Sequence, residues 1–198
     1  MNQSEINTLI MLGKPGAGKG TQSGILKERL RFSIVGYGEF FREISKKKNF
    51  VSNKVKSTIE KGDLLPYWFP SYVLMEKLFN KLGREDSVIL DGAARSKREA
   101  ELVHEVLGWF ERPYKAIYID IPDEVAIERL TERKNLIHRA DDELEHIQNR
   151  LEAYREIVIP AIEYFKEKGT LITIDGNKSM ELVSKDILNS LNKEGLNI

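Results

Sequence analysis

Short β-branched apolar runs alternate with longer amphipathic stretches along this chain. "TLIML" (8–12), "FSIV" (32–35), "SVILD" (87–91), "AIYIDI" (116–121) and "TLITID" (170–175) read as buried strands, because runs of this length without polar alternation suit strands covered on both faces. Each is followed by helical sequence. The alternation predicts an α/β fold, a mostly parallel five-stranded sheet flanked by helices, whose ligands lie beyond the carboxyl ends of the strands. Chemistry-bearing residues gather there: Gly13 to Lys19 follow the first run, Asp91 ends the third and Asp175 the fifth.

Two regions break the alternation. Residues 36–86 carry helical patterns and no strand, in "EFFREISKKK", "SNKVKSTIEKG" and "PSYVLMEKLFNKL", with "LLP" after Gly62 as an interruption. This is far more than the ~10–12 residues a crossover requires, so it reads as an insertion. The second region, "RKNLIHRADD" (133–142), reads as a short charged link between helices. From Asp142 to Lys168 the apolar residues Ile147, Leu151, Tyr154, Val158, Ile162 and Phe165 keep the spacing of an amphipathic helix, which Pro160 is expected to bend.

Composition narrows the possibilities. At 198 residues the chain fits one domain with an inserted part. With 31 basic and 31 acidic residues it has no net field to attract a nucleic acid polymer or an anionic membrane, so any anion site is local. It has no cysteine, which removes thiol chemistry and Cys-ligated zinc and fits an intracellular setting. No run approaches the ~20 apolar residues of a membrane span. The expectation is a soluble, cytoplasmic protein. His104, His138 and His146 show no metal-ligand spacing.

The stretch "GKPGAGKGTQ" (13–22) places four glycines about Lys19, between a strand and a helix. Glycines let backbone N–H groups converge where side chains would block an anion, and Lys19 can reach the terminal phosphates. Gly13-x4-Gly18-Lys19 is the P-loop spacing in its strand-to-helix context. Gly20 stands where that pattern has Ser or Thr, and the hydroxyl comes one residue later, at Thr21.

The same stretch resembles the phosphate loop of adenylate kinases and their nucleoside monophosphate kinase relatives, and the resemblance extends over nearly the whole chain. "KGDLLP" resembles the part of the insertion that closes over the acceptor nucleotide, "ILDGAAR" the Asp-Gly-Phe-Pro-Arg segment, and "IPDEVAIERLTER" the helix leading into the lid. "RADDELEHIQNRLEAY" is similar to the segment after the lid, and "IDGN" to the loop touching the donor base. The resemblance implies a core of residues 1–38, 83–132 and 140–198, an acceptor-binding insertion at about 39–82 and a short loop-like lid at about 133–139. The long lids of some relatives carry zinc, so the absence of cysteine agrees with the short form.

What the resemblance implies for residues follows the substrates. ATP would be held by Gly13, Gly16, Ala17, Gly18, Lys19, Gly20, Thr21, Arg129, Arg133 and Asn177. The acceptor monophosphate would be held by Tyr37, Gly38, Arg42, Leu65, Gly92, Arg95, Glu99, Arg139 and Arg150. Lys19, Arg95, Arg133, Arg139 and Arg150 would surround the transferring group, since phosphoryl transfer is mostly positioning and cation placement. Asp91 would hold Mg²⁺ through water. Asp141 and Asp142 would cap a helix, orient lid arginines, or both.

Four departures cluster at the acceptor. Tyr37 stands where a small hydroxyl residue contacts the acceptor nucleoside, and Glu39 replaces aspartate. Ala93 and Ala94 replace the Phe-Pro pair, whose proline is typically cis, so a reshaped turn is expected before Arg95. Glu99 falls where a glutamine reads the adenine edge; it either reads a base there or faces solvent on a charged helix. The reading is a monomeric, Mg²⁺-dependent kinase transferring the γ-phosphoryl of ATP to AMP. A kinase for GMP, CMP or UMP and a non-catalytic nucleotide sensor remain as alternatives.

Overall fold

The computed structural model describes residues 6–61, 63–80, 82–83, 86–137 and 144–196, and of 134–137 and 144–146 the backbone alone. In chain order the elements are β1 (Thr8–Leu12), α1 (Lys19–Leu30), β2 (Ser33–Gly36), α2 (Tyr37–Ser45), α3 (Phe50–Glu60), α4 (Trp68–Asn80), β3 (Val88–Asp91) and α5 (Lys97–Trp109). They continue with β4 (Tyr114–Asp120), α6 (Asp123–Ile137), α7 (Leu144–Ala153), a π-helical turn (Tyr154–Val158), α8 (Ile159–Glu167), β5 (Leu171–Asp175) and α9 (Met180–Lys193).

All five strands pair in parallel, in the order β2-β3-β1-β4-β5. Successive side chains of a strand point to opposite faces, and the two cores divide accordingly. Ile10, Leu12, Val88 and Leu90 pack on one face with residues of α2 to α5 and α8; Leu9, Met11, Ile89, Ile117 and Ile119 pack on the other with residues of α1, α6, α7 and α9. β1 and β3 are therefore covered on both sides, as their uninterrupted apolar runs require, while the edge strands β2 and β5, expected to be buried, keep exposed positions because no further strand or helix covers them fully. β1 lies in the middle, where the chain order reverses, and the loop after it opens into the crevice that such sheets use for ligands.

Three helices, α2, α3 and α4, fill the stretch between β2 and β3. Asn49 starts α3 with a capping box: its side chain accepts from the Ser52 N–H at 2.8 Å, and the Ser52 hydroxyl accepts from the Asn49 N–H at 2.9 Å. Residues 63–66 join α3 to α4 without regular structure.

Two local expectations change. Residues 133–137 continue α6 instead of beginning a loop, since no glycine or proline interrupts the chain from Asp123 onward. The bend expected at Pro160 is taken up just before it. Proline has no N–H for the preceding turn, and the chain widens to a π turn in which the Ile159 N–H donates to the Tyr154 carbonyl.

Candidate active site

Gly13 leaves β1 with a φ of 143°, and a Cβ there would lie 2.6 Å from the Ile119 carbonyl oxygen. Only glycine lets the loop turn this close to β4. Gly16, Ala17 and Gly18 carry the loop into α1, where Gly18 is the N-cap, no side chain caps the helix and no acidic residue occupies the first turn. The first amides of α1 are left to an anion. Gly20 and Thr21 lie exposed at the start of that helix.

Lys19 folds back over the loop. Its ammonium donates to the carbonyls of Gly13 at 2.7 Å and Lys14 at 2.9 Å. Burial, then Arg95, push Lys19 down to about 7, with Arg150 and Arg133 acting in the same direction and Asp91 opposing. Four residues from three parts of the chain thus act on one ammonium: Asp91 at the end of β3 with Arg95 before α5, Arg133 on α6 and Arg150 on α7. Positive side chains gathered around a half-buried lysine suit an anionic ligand.

Asp91 pairs with Met11 in register and points its carboxylate toward α1: its Oδ2 would lie 3.5 Å from a Cβ on Gly20. Arg129 on α6 donates to the Gly176 carbonyl at 3.1 Å, bringing that helix to the loop that follows β5. In that loop the Asn177 N–H donates to the Asp175 carboxylate at 2.9 Å. Arg42 is exposed on α2, one turn beyond Gly38, where an added Cβ would lie 3.3 Å from its Nη1. Leu65 is half-buried in the segment before α4. Arg139, Asp141 and Asp142 lie outside the described residues.

A family model described as Adenylate kinase matches residues 11–170. Relatives of that name are 34% identical in Chlamydia trachomatis serovar D, over 92% of this chain and 89% of the relative, and 33% identical in Salinibacter ruber, over 88% and 93%. A third, from Leptospira biflexa, is 33% identical over 92% of this chain and 98% of its own length. The chain belongs to the adenylate kinase family. It is thereby a nucleoside monophosphate kinase, a phosphotransferase.

The turn before Arg95 takes a strained path. All described peptide bonds are trans, and Ala94 takes the left-handed conformation, with φ 55°. Ala93 and Ala94 are both fully buried. Ala94 has an N–H that a proline would lack, and leaving it unpaired inside the protein would cost about 1–3 kcal/mol. Glu99 supplies the acceptor. Its Oε1 accepts from the Ala94 N–H at 2.7 Å and its Oε2 from the Arg95 N–H at 3.1 Å. Glu99 does not face solvent as one expectation had it, for it is 3% exposed. Its first-turn place on α5 turns it back over the helix N-terminus, where Ser96 caps the Glu99 N–H.

Tyr37, at the start of α2, is fully buried, and its hydroxyl has no partner among the described residues. Burial, then the Glu99 charge, raise it well above the ordinary tyrosine value. Lys14, inside the phosphate loop, escaped the sequence reading: it is buried and its ammonium meets the Asp123 carboxylate at 2.6 Å. A lysine beside the loop glycines was the available signal. His104 bonds the Tyr114 hydroxyl at 2.6 Å, away from the loop.

Proposed function

We propose that the chain transfers the γ-phosphoryl of ATP reversibly to AMP, giving two ADP. The observation that carries this is the convergence of Arg95, Arg133 and Arg150 on Lys19, because phosphoryl transfer gathers negative charge that only placed cations can stabilise. In this reading the loop from Gly13 to Thr21 holds the ATP phosphates on backbone amides. Arg129 and Asn177 lie against the donor base. Arg42 and Arg95 grip the acceptor phosphate with planar forks, alongside Tyr37, Gly38, Leu65 and Gly92. Lys19, Arg133, Arg139 and Arg150 then share the charge that develops between the two nucleotides. Asp141 and Asp142 orient the lid arginines.

Mg²⁺ fits the donors present. Asp91 and the Thr21 hydroxyl offer oxygen ligands at the start of α1, and a hydrated ion held through Asp91 would suit them. When bound, it neutralises phosphate charge. We assign residues 39–82 to the acceptor-binding insertion and 133–139 to a short lid, both closing over bound nucleotides and excluding water. An analogue of two adenosines joined by five phosphates should slow hydrogen exchange in both segments; protection of the phosphate loop alone would refute closure. The chain is read as a cytoplasmic monomer, and sedimentation of the ligand-free and analogue-bound protein tests the monomer.

The deciding experiment is a coupled assay of ATP with AMP, GMP, CMP and UMP separately. AMP should give ADP with the highest kcat/KM. A preference for another monophosphate overturns the acceptor, and nucleotide binding without turnover would make the chain a sensor.

A further inference from the structure

We propose that Glu99 is a positioning residue for the acceptor phosphate: its carboxylate clamps the Ala94–Arg95 turn and so aims Arg95, and it does not read the acceptor base. The inference rests on the kinase reading above but concerns a role that reading leaves open.

Two successive backbone donors point at one carboxylate. The Ala94 N–H takes one oxygen and the Arg95 N–H the other, and the Glu99 N–H is itself tied to Ser96. An ionised carboxylate only accepts, so it meets two N–H groups without conflict. A glutamine would have to turn its NH₂ toward one of them. The left-handed Ala94 explains why the clamp is needed. An alanine resists that conformation, and the turn holds only when its surroundings over-determine it. Arg95 follows immediately and its guanidinium lies against Gly92, so a loosened turn displaces the guanidinium.

Few groups face the carboxylate. Arg95 is the charge that lowers Glu99, and Tyr37, from α2, is the titratable neighbour that Glu99 itself raises. Burial outweighs the backbone hydrogen bonds at Ala94, Arg95 and Ser96 and the Arg95 charge, and lifts Glu99 to about 7. A protonated Glu99 carries a hydroxyl in place of one acceptor oxygen, which weakens one half of the clamp. The grip on the acceptor phosphate is therefore strongest above neutral pH.

The test compares wild type with Glu99→Gln over about pH 6 to about 8.5, measuring kcat and KM for AMP, GMP and ATP. KM for AMP should rise about tenfold in the variant at high pH, the scale of one charged hydrogen bond, while KM for ATP and the AMP-to-GMP ratio of kcat/KM stay within about twofold. Wild-type KM for AMP should also rise as pH falls through about 7 more steeply than in the variant, whose amide does not titrate. An altered AMP-to-GMP ratio would make Glu99 a base reader and overturn the proposal. So would an unchanged KM for AMP, or equal rises in KM for AMP and for ATP. NMR of the wild-type protein gives a readout independent of turnover and of the variant's folding: the Ala94 and Arg95 amide signals should titrate together near 7. Ala94 and Arg95 amides that neither titrate nor resist hydrogen exchange would refute the clamp. Absence of any ADP formation by wild type would refute the kinase reading and leave the amide titration as the test of the clamp.

Discussion

Lys14 and Asp123 tie the phosphate loop to the first residue of α6 through an ion pair 2.6 Å long. The other carboxylate oxygen of Asp123 accepts from Arg155 in the π turn, and the Lys14 ammonium lies over the Tyr154 ring, 5.6 Å from its centroid. One aspartate thus joins three parts of the chain around the loop. Its position at the start of a helix favours the negative charge further.

Asp123→Asn should therefore cost about 1–2 kcal/mol, less than a fully buried pair because the Asp123 side chain is 33% exposed. Hydrogen bonds from Lys14, then Arg155, hold the Asp123 carboxyl below its ordinary 3.8. A lowered carboxyl stabilises the fold above its unfolded value and loses that contribution as pH falls through the folded value. Urea unfolding of both proteins should show a constant gap from neutral pH down to about 4 that closes at lower pH. A gap independent of pH would mean that the carboxylate charge contributes nothing.

Lys19 has the same sign of linkage in a higher pH window, here because its charged form is the one disfavoured. Lowered to about 7, it leaves the ligand-free fold less stable as pH drops below 10.5, with the loss complete below about 7. A bound triphosphate favours the charged form, so ATP should bring a proton with it. At about pH 8 calorimetry in buffers of different ionisation enthalpy should report uptake approaching one proton per ATP. In Lys19→Met the buffer dependence should vanish and turnover should fall by at least ~10²–10³, the scale of one preorganised electrostatic group. Buffer-independent heats in wild type would show that Lys19 is charged before ATP arrives.

Arg133→Ala and Arg139→Ala should each lower kcat by ~10³–10⁵, the range of arginine fingers. That corresponds to about 4–7 kcal/mol at ~1.36 kcal/mol per decade. Thermal midpoints should move little. A falling midpoint with unchanged kcat would make them structural ion pairs instead.

The strands and the phosphate loop were legible because each is a local signal: unbroken apolar runs for β1 to β5, and glycines at fixed spacing before Lys19. The places where reading failed depend on groups that sequence spacing does not bring together. Lys14 and Asp123 are 109 positions apart, and nothing local marks them as partners. Glu99 looks like one more charge on a polar helix, "SKREAE", and only the donor left by Ala94 shows why it turns inward. The convergence of Arg95, Arg133 and Arg150 was expected from family resemblance; the physical pattern alone could not separate them from surface arginines.

Gly92 and Arg95 provide the last test, because they separate backbone strain from displacement of a phosphate-binding side chain. Gly92 has a φ of 94°, and a Cβ there would lie 2.8 Å from Arg95 Nη2 and 3.4 Å from Tyr37 Cβ. Gly92→Ala should lose about 1–2 kcal/mol of stability from the left-handed backbone alone. It should also raise KM for AMP about tenfold, since the guanidinium is the mobile end that must give way. In an Arg95→Ala background the clash with the guanidinium is gone, so adding Gly92→Ala should still lower the thermal midpoint and should raise KM for AMP no further. If the two substitutions raise KM additively, Gly92 acts on the acceptor by another route than Arg95.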